Sequence, residues 1–418
     1  MLIGLVWDEF YNWHSGGDAS LEFRTQPGVD YWENAESKRR IYSLIVTTPE
    51  LQGSLLRVEA RDAVEEELLL FHTPDYVARI KSESELARGG EAGECARFSR
   101  GGYAVAVRSV GGLLAACEAV LQKRCISAYA LIRPPGHHAR ASFGMGFCIF
   151  NNIVIAAKHI QRTAPTQTYR VAIVDYDVHH GNGTQEAFYQ DGSVLFISIH
   201  QDSNYPHDSG GWEETGAGEG EGTTINIPLP PGSGHGAYMY ALTTLVLPAL
   251  RAFRPDFILV SSGFDGSFAD PLASMMLHSG TYGAWARALQ NAANELCDGR
   301  LVFAHEGGYS KDYVPYCGVA VVDQMAAAAR MDSAPATLLS EERSADPYLD
   351  EAKGWGGQEL QRHQFLALNA AYKQHVGSRG LLADALPPKV PEEWAASHGL
   401  ERFLSPEQDP HGVFRHIR

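Results

Sequence analysis

The segment at residues 171–185, VAIVDYDVHHGNGTQ, ends an apolar run in two aspartates and two adjacent histidines. Residues two apart on an extended chain point to the same side, so we expect Asp177 and His179 to project together. A carboxylate oxygen and an imidazole nitrogen at this spacing can share one divalent cation, and Asp265, after a later apolar run, can supply a third ligand. Such a set leaves a position open for water and substrate, which is typical of catalytic zinc, although Fe(II) or Co(II) would also be accepted.

Two adjacent histidines in the segment RPPGHHAR could perform acid–base chemistry beside this site. We expect Asp175 to accept a hydrogen bond from His137 and to favour its charged form. Asn182 can make the same kind of bond to His138 without a negative charge. His138 would then be more easily neutral near pH 7, which suits it to take a proton from water.

Aromatic side chains near these motifs could complete the site. Tyr309 follows two glycines in HEGGYS, and its hydroxyl can donate to a developing oxyanion. Phe147 in GFCIF and Tyr205 in SNYPHDSG could form the walls of a narrow slot. Each of these rings could equally be an ordinary packed aromatic, and the sequence leaves that alternative open.

Short apolar runs alternate with longer segments of helical periodicity. The runs predict strands at 3–7, 128–133, 171–177, 194–200, 257–262 and 301–306. Helical spacing of apolar residues predicts helices at 111–124, 151–162 and 238–253. Because the predicted strands are almost continuously hydrophobic, both of their faces must be covered, which favours an α/β fold with a mostly parallel sheet.

A polar motif follows each of these predicted strands except the first: RPPGHHAR, DYDVHHGNG, SIHQD, SGFDGSFADP and HEGGYS. The carboxyl ends of parallel strands meet at one edge of an open sheet, where such folds bind ligands. We therefore expect these loops to converge on one site. Burying so many charges and histidines is unfavourable unless they are paired or bind a cation, which supports the metal interpretation.

The composition of the 418 residues limits the possible functions. The net charge of −16 argues against nucleic acid as a partner, because a negative surface repels phosphate. Six cysteines without a C-x-x-C pair predict reduced, buried thiols. The N-terminal MLIGLVWDEF lacks a basic start, so no signal peptide is expected, and no apolar stretch is expected to be long enough to span a membrane. These features predict a soluble, cytoplasmic protein.

The pattern changes after residue 330. Residues 348–376 predict a helix-rich closing segment, and the proline-rich residues that follow predict a loosely ordered tail. We therefore expect one catalytic domain at 1–375 and a C-terminal extension at 376–418, which could pack on the domain or on a neighbouring subunit.

The motifs RPPGHHA, GFCIFNN, DYDVHHGNGTQ, SGFDGSFADPL and EGGYS, in this order, resemble those of the histone deacetylase superfamily. The resemblance extends over residues 1–375, with IGLVW and KRRI at its start. It is strongest to the class II-like bacterial members, the histone deacetylase-like amidohydrolases, which are relatives of the acetylpolyamine amidohydrolases. It implies the arginase–deacetylase fold, an α/β domain around a central, mainly parallel eight-stranded sheet.

The resemblance also implies a role for each matched residue. It implies that zinc is held by Asp177, His179 and Asp265. The catalytic residues that it implies are His138 as general base and acid, His137 as its electrostatic partner backed by Asp175, Asn182 behind His138, and Tyr309 as the donor to the substrate carbonyl. It implies that an acyl-lysine tunnel is lined by Gly146 and Phe147, with Tyr205 or a neighbour opposite.

Potassium is a further cofactor that the resemblance implies. Beside the zinc ligands, potassium would bind the Ser198 hydroxyl and the main-chain oxygens of Asp175, Asp177, His179 and Ile199. A second, outer potassium site would use oxygens near Phe188, Asp191 and Val194.

Some positions distinguish this chain from parts of the family. Asn182 stands where class I relatives have aspartate, as is usual in class II. Leu272, a predicted substrate-binding residue, stands where the polyamine-selective eukaryotic member has a glutamate, which argues against strict polyamine selectivity. Tyr309 is retained, unlike in class IIa enzymes, which carry histidine there and deacetylate poorly. The loop NYPHDSGGWEE lacks the usual Phe-Pro-Gly, so the second tunnel wall is not identified by its motif.

These features predict a zinc-dependent hydrolase of N-acyl amides, with acetyl-lysine-type substrates favoured. An acetylpolyamine, or a small xenobiotic or metabolite amide, is an alternative substrate on the same centre. An arginase-like ureohydrolase would need two manganese ions and more aspartates, and a non-catalytic acyl-lysine binder would not need Tyr309. Because bacterial relatives often assemble, we also expect a homo-oligomer, either a dimer or a tetramer, and we expect neither a nucleic acid nor a membrane partner.

Overall fold

Eight parallel strands form the central sheet of the computed structural model, which describes residues 2–16, 32–163, 169–329, 345–376 and 382. In chain order the strands are β1 (Ile3–Val6), β2 (Leu55–Val58), β3 (Ser127–Ala130), β4 (Val171–Asp175), β5 (Val194–Gln201), β6 (Thr224–Leu229), β7 (Phe257–Ser262) and β8 (Leu301–His305). Their spatial order is β6-β5-β4-β7-β8-β3-β1-β2, and every neighbouring pair is parallel. The predicted α/β architecture around an eight-stranded sheet is confirmed, and this sheet is parallel throughout.

The six strands predicted from apolar runs are present, and some end a few residues earlier than expected. All residues of β4 and β7 are buried, as expected for central strands whose two faces are both covered by helices. Sequence reasoning missed β2 and β6, which are the two edge strands of the sheet. β2 carries an exposed arginine, and β6 contains Pro228, which an edge strand tolerates because one side of it needs no ladder hydrogen bond.

Helices flank the sheet and occupy most of the chain between its strands. The described α-helices are Ala35–Thr47, Pro49–Gln52, Glu65–Leu68, Pro74–Glu83, Gly102–Leu121, Asn152–Thr163, Asn182–Phe188, His235–Ala241, Leu247–Phe253, Ser279–Leu296, Val314–Ala329, Leu349–Lys353 and Arg362–Val376. The predicted helix at 151–162 is found almost unchanged, whereas the one at 111–124 begins earlier. The predicted helix at 238–253 is continuous with a preceding turn and contains a π-helical turn at Leu242–Val246.

The helix Gly102–Leu121 corrects the expectation that no apolar segment is long enough to cross a membrane, because its length and composition pass that test. In this structure 78% of its apolar window is buried inside the protein. It packs against β1, β3 and the helix Asn152–Thr163. Its apolar character is therefore accounted for by its position in the protein core.

The cysteines lie among the described residues as free thiols, in agreement with the prediction of reduced cysteines. Cys117, Cys125, Cys148, Cys297 and Cys317 are buried. Cys95 is exposed, which differs from the expectation of burial because it lies on a turn with a positive φ of 54° rather than in an apolar element.

The predicted helix-rich closing segment is present as Leu349–Lys353 and Arg362–Val376. The second of these helices packs against the edge strand β6. Apart from Val376 and Leu382, the predicted extension at 376–418 lies outside the described residues. The division of the chain at residue 375 therefore stays a prediction.

Strands β5, β4, β7, β8 and β3 are adjacent in the sheet, and each precedes one of the polar motifs. The order of strands therefore places these loops side by side at one edge, as parallel geometry requires.

Candidate metal centre and active site

Three side chains converge at the carboxyl ends of β4 and β7. Asp177 and His179 follow β4, and Asp265 follows β7. One ligand atom from each lies within 4.8 Å of the others, and all three residues are buried. His179 Nδ1 lies 3.2 Å from Asp177 Oδ1 and 3.1 Å from Asp265 Oδ2. The structure thus brings together the three residues that the sequence predicted as metal ligands.

Backbone amides hold the two carboxylates in place. Gly307 N–H donates to Asp177 Oδ2 at 2.8 Å, and Val178 N–H donates to Asp265 Oδ1 at 2.9 Å. A Cβ on Gly307 would lie 2.1 Å from Asp265 Oδ2, so only glycine permits this close approach. One oxygen of Asp265 is therefore fixed by the backbone while the other is directed at His179.

The electrostatics of this cluster fit a divalent cation. Burial, followed by the nearby charge of Asp177, raises the pKa of Asp265. Burial alone would lower the pKa of His179, but Asp177 and Asp265 outweigh it and raise the pKa to about 10. Two buried carboxylates facing one imidazole nitrogen provide the oxygen and nitrogen donors, and the negative charge, that zinc or a similar cation requires.

His137 lies beside this cluster and pairs with a buried carboxylate. Its Nδ1 lies 3.0 Å from Asp175 Oδ2, as the sequence predicted. Burial lowers the pKa of His137, but the charges of Asp175 and Asp177 outweigh it and raise the pKa to about 10. Burial raises the pKa of Asp175 to about 6. The pair is therefore an imidazolium and a carboxylate at neutral pH.

His138 has a neutral partner instead. Its Nδ1 lies 2.8 Å from Asn182 Oδ1, while Asn182 Nδ2 donates to Met145 Sδ at 3.2 Å. This orientation of the amide makes His138 Nδ1 the donor and leaves Nε2 unprotonated. Burial, and then the charges of His137 and His179, lower the pKa of His138 well below its ordinary value. Two adjacent histidines thus have pKa values shifted in opposite directions, which is typical of an acid–base site.

Aromatic rings line the space next to the two histidines. The ring of Tyr205 meets that of His138 edge-on, with centroids 5.1 Å apart, and the rings of Phe147 and Tyr309 are 5.7 Å apart. Gly146 has a φ of +54°, and a Cβ there would lie 2.3 Å from His138 Cδ2. The structure therefore brings the predicted residues Gly146 and Tyr205 against His138, and Phe147 against Tyr309.

Tyr309 and Leu272 are joined through one carboxylate. Asp270 Oδ2 accepts the Tyr309 N–H at 2.8 Å, and Asp270 Oδ1 accepts the Leu272 N–H at 3.0 Å. Leu272 is half-buried, and its carbonyl accepts from Asn204, next to Tyr205, at 3.4 Å. Burial raises the pKa of Tyr309 well above its ordinary value, so its hydroxyl stays protonated and can donate.

Three of the residues predicted to bind potassium lie on the neighbouring strands β4 and β5. Asp175 and Ser198 are register partners on β4 and β5, and Ile199 follows Ser198 in β5. At the predicted outer site, Asp191 N–H donates to the Phe188 carbonyl at 3.0 Å and Val194 N–H donates to the Asp191 carbonyl at 3.3 Å. The potassium roles of these residues stay predictions.

Sequence reasoning missed Glu306, which holds the loop that carries the two histidines. Its Oε2 accepts the N–H of Gly136 at 2.6 Å and that of His137 at 3.2 Å. Burial raises the pKa of Glu306 to about 7. Its position directly after β8 was the signal that could have identified it.

A buried ion cluster behind Tyr309 was also missed. Glu33 Oε1 lies 3.1 Å from Lys38 Nζ and 2.8 Å from Arg133 Nε, and all three side chains are almost fully buried. Lys38 Nζ lies 5.5 Å from the centroid of the Tyr309 ring. Arg133 opens a predicted motif and Lys38 opens KRRI, but neither residue was assigned a role, and Glu33 lies in no motif that pointed to the site.

Replacing Glu33 with glutamine should lower the free energy of unfolding by about 3–5 kcal/mol, because Lys38 and Arg133 would lose their shared buried counter-ion. Urea unfolding measures this loss. Glu36→Gln is the matched control, since its ion pairs with Arg39 and Arg40 are solvent-exposed and contribute about 0–1 kcal/mol. Equal losses in the two variants would contradict the importance of the buried cluster.

Comparisons with known proteins give a consistent result. The family profile of the histone deacetylase domain matches residues 31–325. The chain is 42% identical over 327 residues to a histone deacetylase-like amidohydrolase of Pseudomonas aeruginosa, covering 76% of this chain and 84% of that protein. It is 41% identical over 262 residues to a probable deacetylase of Archaeoglobus fulgidus, covering 62% of this chain and 71% of that protein. The crystal structure of the HDA15 HD domain is similar, with a TM-score of 0.74 and 27% identity, over 90% of this chain and 95% of that one.

Proposed function

Because the chain belongs to the histone deacetylase family and is therefore an amide hydrolase, we propose that it is a zinc-dependent deacetylase of acetyl-lysine-type N-acyl amides. The observation that carries this proposal is the convergence of Asp177, His179 and Asp265 within 4.8 Å, beside two histidines with opposite pKa shifts. An arginase-like activity is disfavoured because its dinuclear chemistry needs more aspartates around the metal, and a non-catalytic binder is disfavoured because it would not need this acid–base pair.

Asp177, His179 and Asp265 would hold the cation. When bound, zinc supplies Lewis-acid activation of the attacking water and of the acyl carbonyl. A carboxylate pair with one imidazole leaves coordination positions for water and substrate, as in catalytic rather than structural zinc sites.

His138 would act as the general base, because its Nε2 is unprotonated and its pKa is lowered. Nε2 takes a proton from water as the oxygen–carbon bond forms, and returns it to the leaving nitrogen as the carbon–nitrogen bond breaks. His137 would stay charged through its pair with Asp175 and stabilise the developing negative charge. Tyr309 would donate a hydrogen bond to the oxyanion that develops on the acyl carbonyl. The products are a carboxylate and an ammonium, because the proton that the carboxylic acid loses is taken up by the released amine.

Substrate access would run through the slot between Phe147 and Tyr205. The edge-on contact of Tyr205 with His138, and that of Phe147 with Tyr309, supports an aromatic wall beside each of these reacting groups. A narrow aromatic slot suits a linear, uncharged acyl-lysine stem. Leu272 offers no charge to bind the distal amines of a polyamine, so acetylpolyamines are expected to react more slowly.

A panel of acetylated and longer acylated lysines, acetylpolyamines and small amides, tested on zinc-loaded protein, examines this proposal. We expect fastest turnover of acetyl-lysine substrates, loss of activity to background on chelation, and recovery on addition of zinc. Parallel reloading with Fe(II) or Co(II) identifies the preferred metal. Preference for acetylpolyamines or small amides would reassign the substrate, and full activity in a metal-free protein would refute the mechanism.

Asp265→Asn should reduce metal affinity by more than about 100-fold. Loss of a residue that only hydrogen-bonds a metal ligand typically costs about 10–100-fold, and Asp265 is itself a predicted ligand. Glu118→Gln is the matched control. Glu118 also belongs to a cluster of possible ligands, with Glu67 and His159, but Arg61 already bonds Glu118 at 2.6 Å and Glu67 at 2.7 Å. Metal content after dialysis, measured by elemental analysis, should fall only in the Asp265 variant.

Replacing Asn182 with aspartate should move the acidic limb of the pH–rate profile to higher pH. A carboxylate at the position of the Asn182 amide would favour the charged form of His138, raise its pKa and remove the free base at a higher pH than in the parent. Turnover at neutral pH should therefore fall while turnover at alkaline pH is largely retained. An unmoved limb would count against His138 as the base.

A further inference from the structure

His180 follows the predicted ligand His179 in the chain, but it does not belong to the cluster of Asp177, His179 and Asp265 and has no role in the proposed mechanism. Its ring and that of His200 are 4.9 Å apart, and their exposed fractions are 1% and 3%. We name these two residues the histidine platform. Two buried imidazoles need a partner for each ring nitrogen, so their contacts indicate what they do.

The contacts of His180 fix its proton position. Gln185 Nε2 donates to the Glu214 carboxylate, so Gln185 Oε1 must be the atom that faces His180 Nε2, at 3.0 Å. His180 Nε2 is therefore a donor, and in the neutral ring Nδ1 is an acceptor. Nδ1 lies 2.9 Å from Ser209 Oγ, whose hydroxyl donates to it. The ring is satisfied by residues from two separate segments of the chain.

His200 is held in the same way. Its Nε2 lies 3.0 Å from the Gly210 carbonyl, which can only accept, so Nε2 carries the proton. Nδ1 then accepts from Ser198 Oγ at 2.9 Å. Both rings of the histidine platform thus bond the segment Ser209–Gly210.

That segment belongs to the loop that carries Tyr205. His180 N–H donates to the Tyr205 carbonyl at 3.1 Å, which ties the start of the loop to the residue next to His179. Gly210 has a φ of +92°, and a Cβ there would lie 2.7 Å from His200 Nε2 and 2.8 Å from His180 Cγ. The loop therefore lies directly on the two rings, and only glycine permits this approach.

We propose that the histidine platform positions Tyr205, and that it thereby sets the width of the proposed substrate slot between Phe147 and Tyr205. His180 follows His179 in the chain, so one backbone segment fixes both a predicted metal ligand and the position of the opposing wall. The platform acts through Tyr205 and does not touch substrate, so His180 and His200 are positioning residues. The selectivity part of this inference rests on the proposed function, whereas the positioning part does not.

Gly210→Ala is the decisive variant, because its added methyl must lift the loop from the platform without removing any functional side chain. Gly53→Ala is the matched control, since Gly53 has a negative φ and a methyl added there would meet no atom within 4 Å beyond its two chain neighbours. We expect Gly210→Ala to raise KM for acetyl-lysine substrates. The ratio of kcat/KM for acetyl-lysine to kcat/KM for longer acyl-lysines should fall by about tenfold, which is the size typical of a change of one methylene in a pocket. Metal content should stay at the parental level.

A double-mutant cycle with Tyr205→Ala distinguishes positioning from a general structural effect. If the platform acts through Tyr205, Gly210→Ala should have little further effect on acyl-length selectivity in the Tyr205→Ala background. The proposal would be overturned if the fold-change in selectivity of the double variant equalled the product of those of the two single variants. It would also be overturned if Gly210→Ala left the selectivity unchanged.

Hydrogen exchange of the intact protein provides a test that is independent of turnover. Gly210→Ala should speed exchange of the His180 amide and of the loop at residues 205–211, while β4 stays protected as in the parent. Unchanged exchange in the loop would overturn the positioning role. If the parental protein hydrolyses no acyl amide, the proposed function fails, and the exchange result still decides whether the platform holds the loop.

Discussion

Replacing His138 with alanine is expected to lower kcat by about 10²–10⁴, the usual contribution of a positioned general acid–base group. The structure supports a large effect because His138 is the histidine whose Nδ1 is committed to Asn182, which leaves Nε2 as the free base. His137 cannot substitute for it, because its pair with Asp175 keeps it protonated. KM should change little, since His138 contributes to the reaction more than to ground-state binding.

Steady-state kinetics on an acetyl-lysine reporter, with metal content measured on the same samples, tests this expectation. His138 is not one of the three predicted ligands, so the variant should retain its metal. His363→Ala is the control, because His363 is an exposed histidine on the helix Arg362–Val376. A His138→Ala enzyme with parental kcat would exclude His138 as the base.

Replacing Tyr309 with phenylalanine is expected to lower kcat by about 10²–10³, as removal of one oxyanion donor typically does. The ring would keep its contact with Phe147 and its position above Lys38, so the slot should keep its shape. Because the hydroxyl is needed mainly in the transition state, KM should stay near the parental value.

Tyr313→Phe is the matched control for Tyr309→Phe. Tyr313 also carries a buried hydroxyl, which donates to Asp346 at 2.8 Å and accepts the Ser279 N–H at 2.9 Å. Its loss should lower the free energy of unfolding by about 1–3 kcal/mol and leave kcat near the parental value. Comparable losses of kcat in the two variants would show that the effect at Tyr309 is structural rather than catalytic.

Much of the site could be predicted because parallel strands impose a simple geometry. The apolar runs at β3, β4, β5, β7 and β8 predicted strands, and the polar residues after them had to meet at one sheet edge. Asp177 and His179 do meet as expected, but β4 ends at Asp175 and both lie on the bend after it, so the side-to-side spacing of an extended chain was not the reason. The edge strands β2 and β6 were missed because half-solvated strands carry polar residues and proline, which weaken the apolar signal.

The parts that could not be predicted depend on contacts between distant segments. Glu33 meets Arg133 across 100 positions, and Glu306 meets Gly136 across 170. The pairing of Tyr205 with His138 likewise follows from a loop whose motif departs from the family pattern. No local periodicity encodes such contacts, because they depend on how the strands are ordered and how closely the loops pack.

The sequence by itself determined which residue types stand at the carboxyl ends of the strands, and therefore that the chain could bind a cation and move protons there. Only the tertiary structure decided which nitrogen of each histidine carries the proton, that Glu306 and the Glu33 cluster support the site, and that His180 and His200 hold the loop of Tyr205. The physical reason is that residue type and spacing are local properties, whereas proton positions and pKa shifts depend on burial and on partners brought together from across the chain.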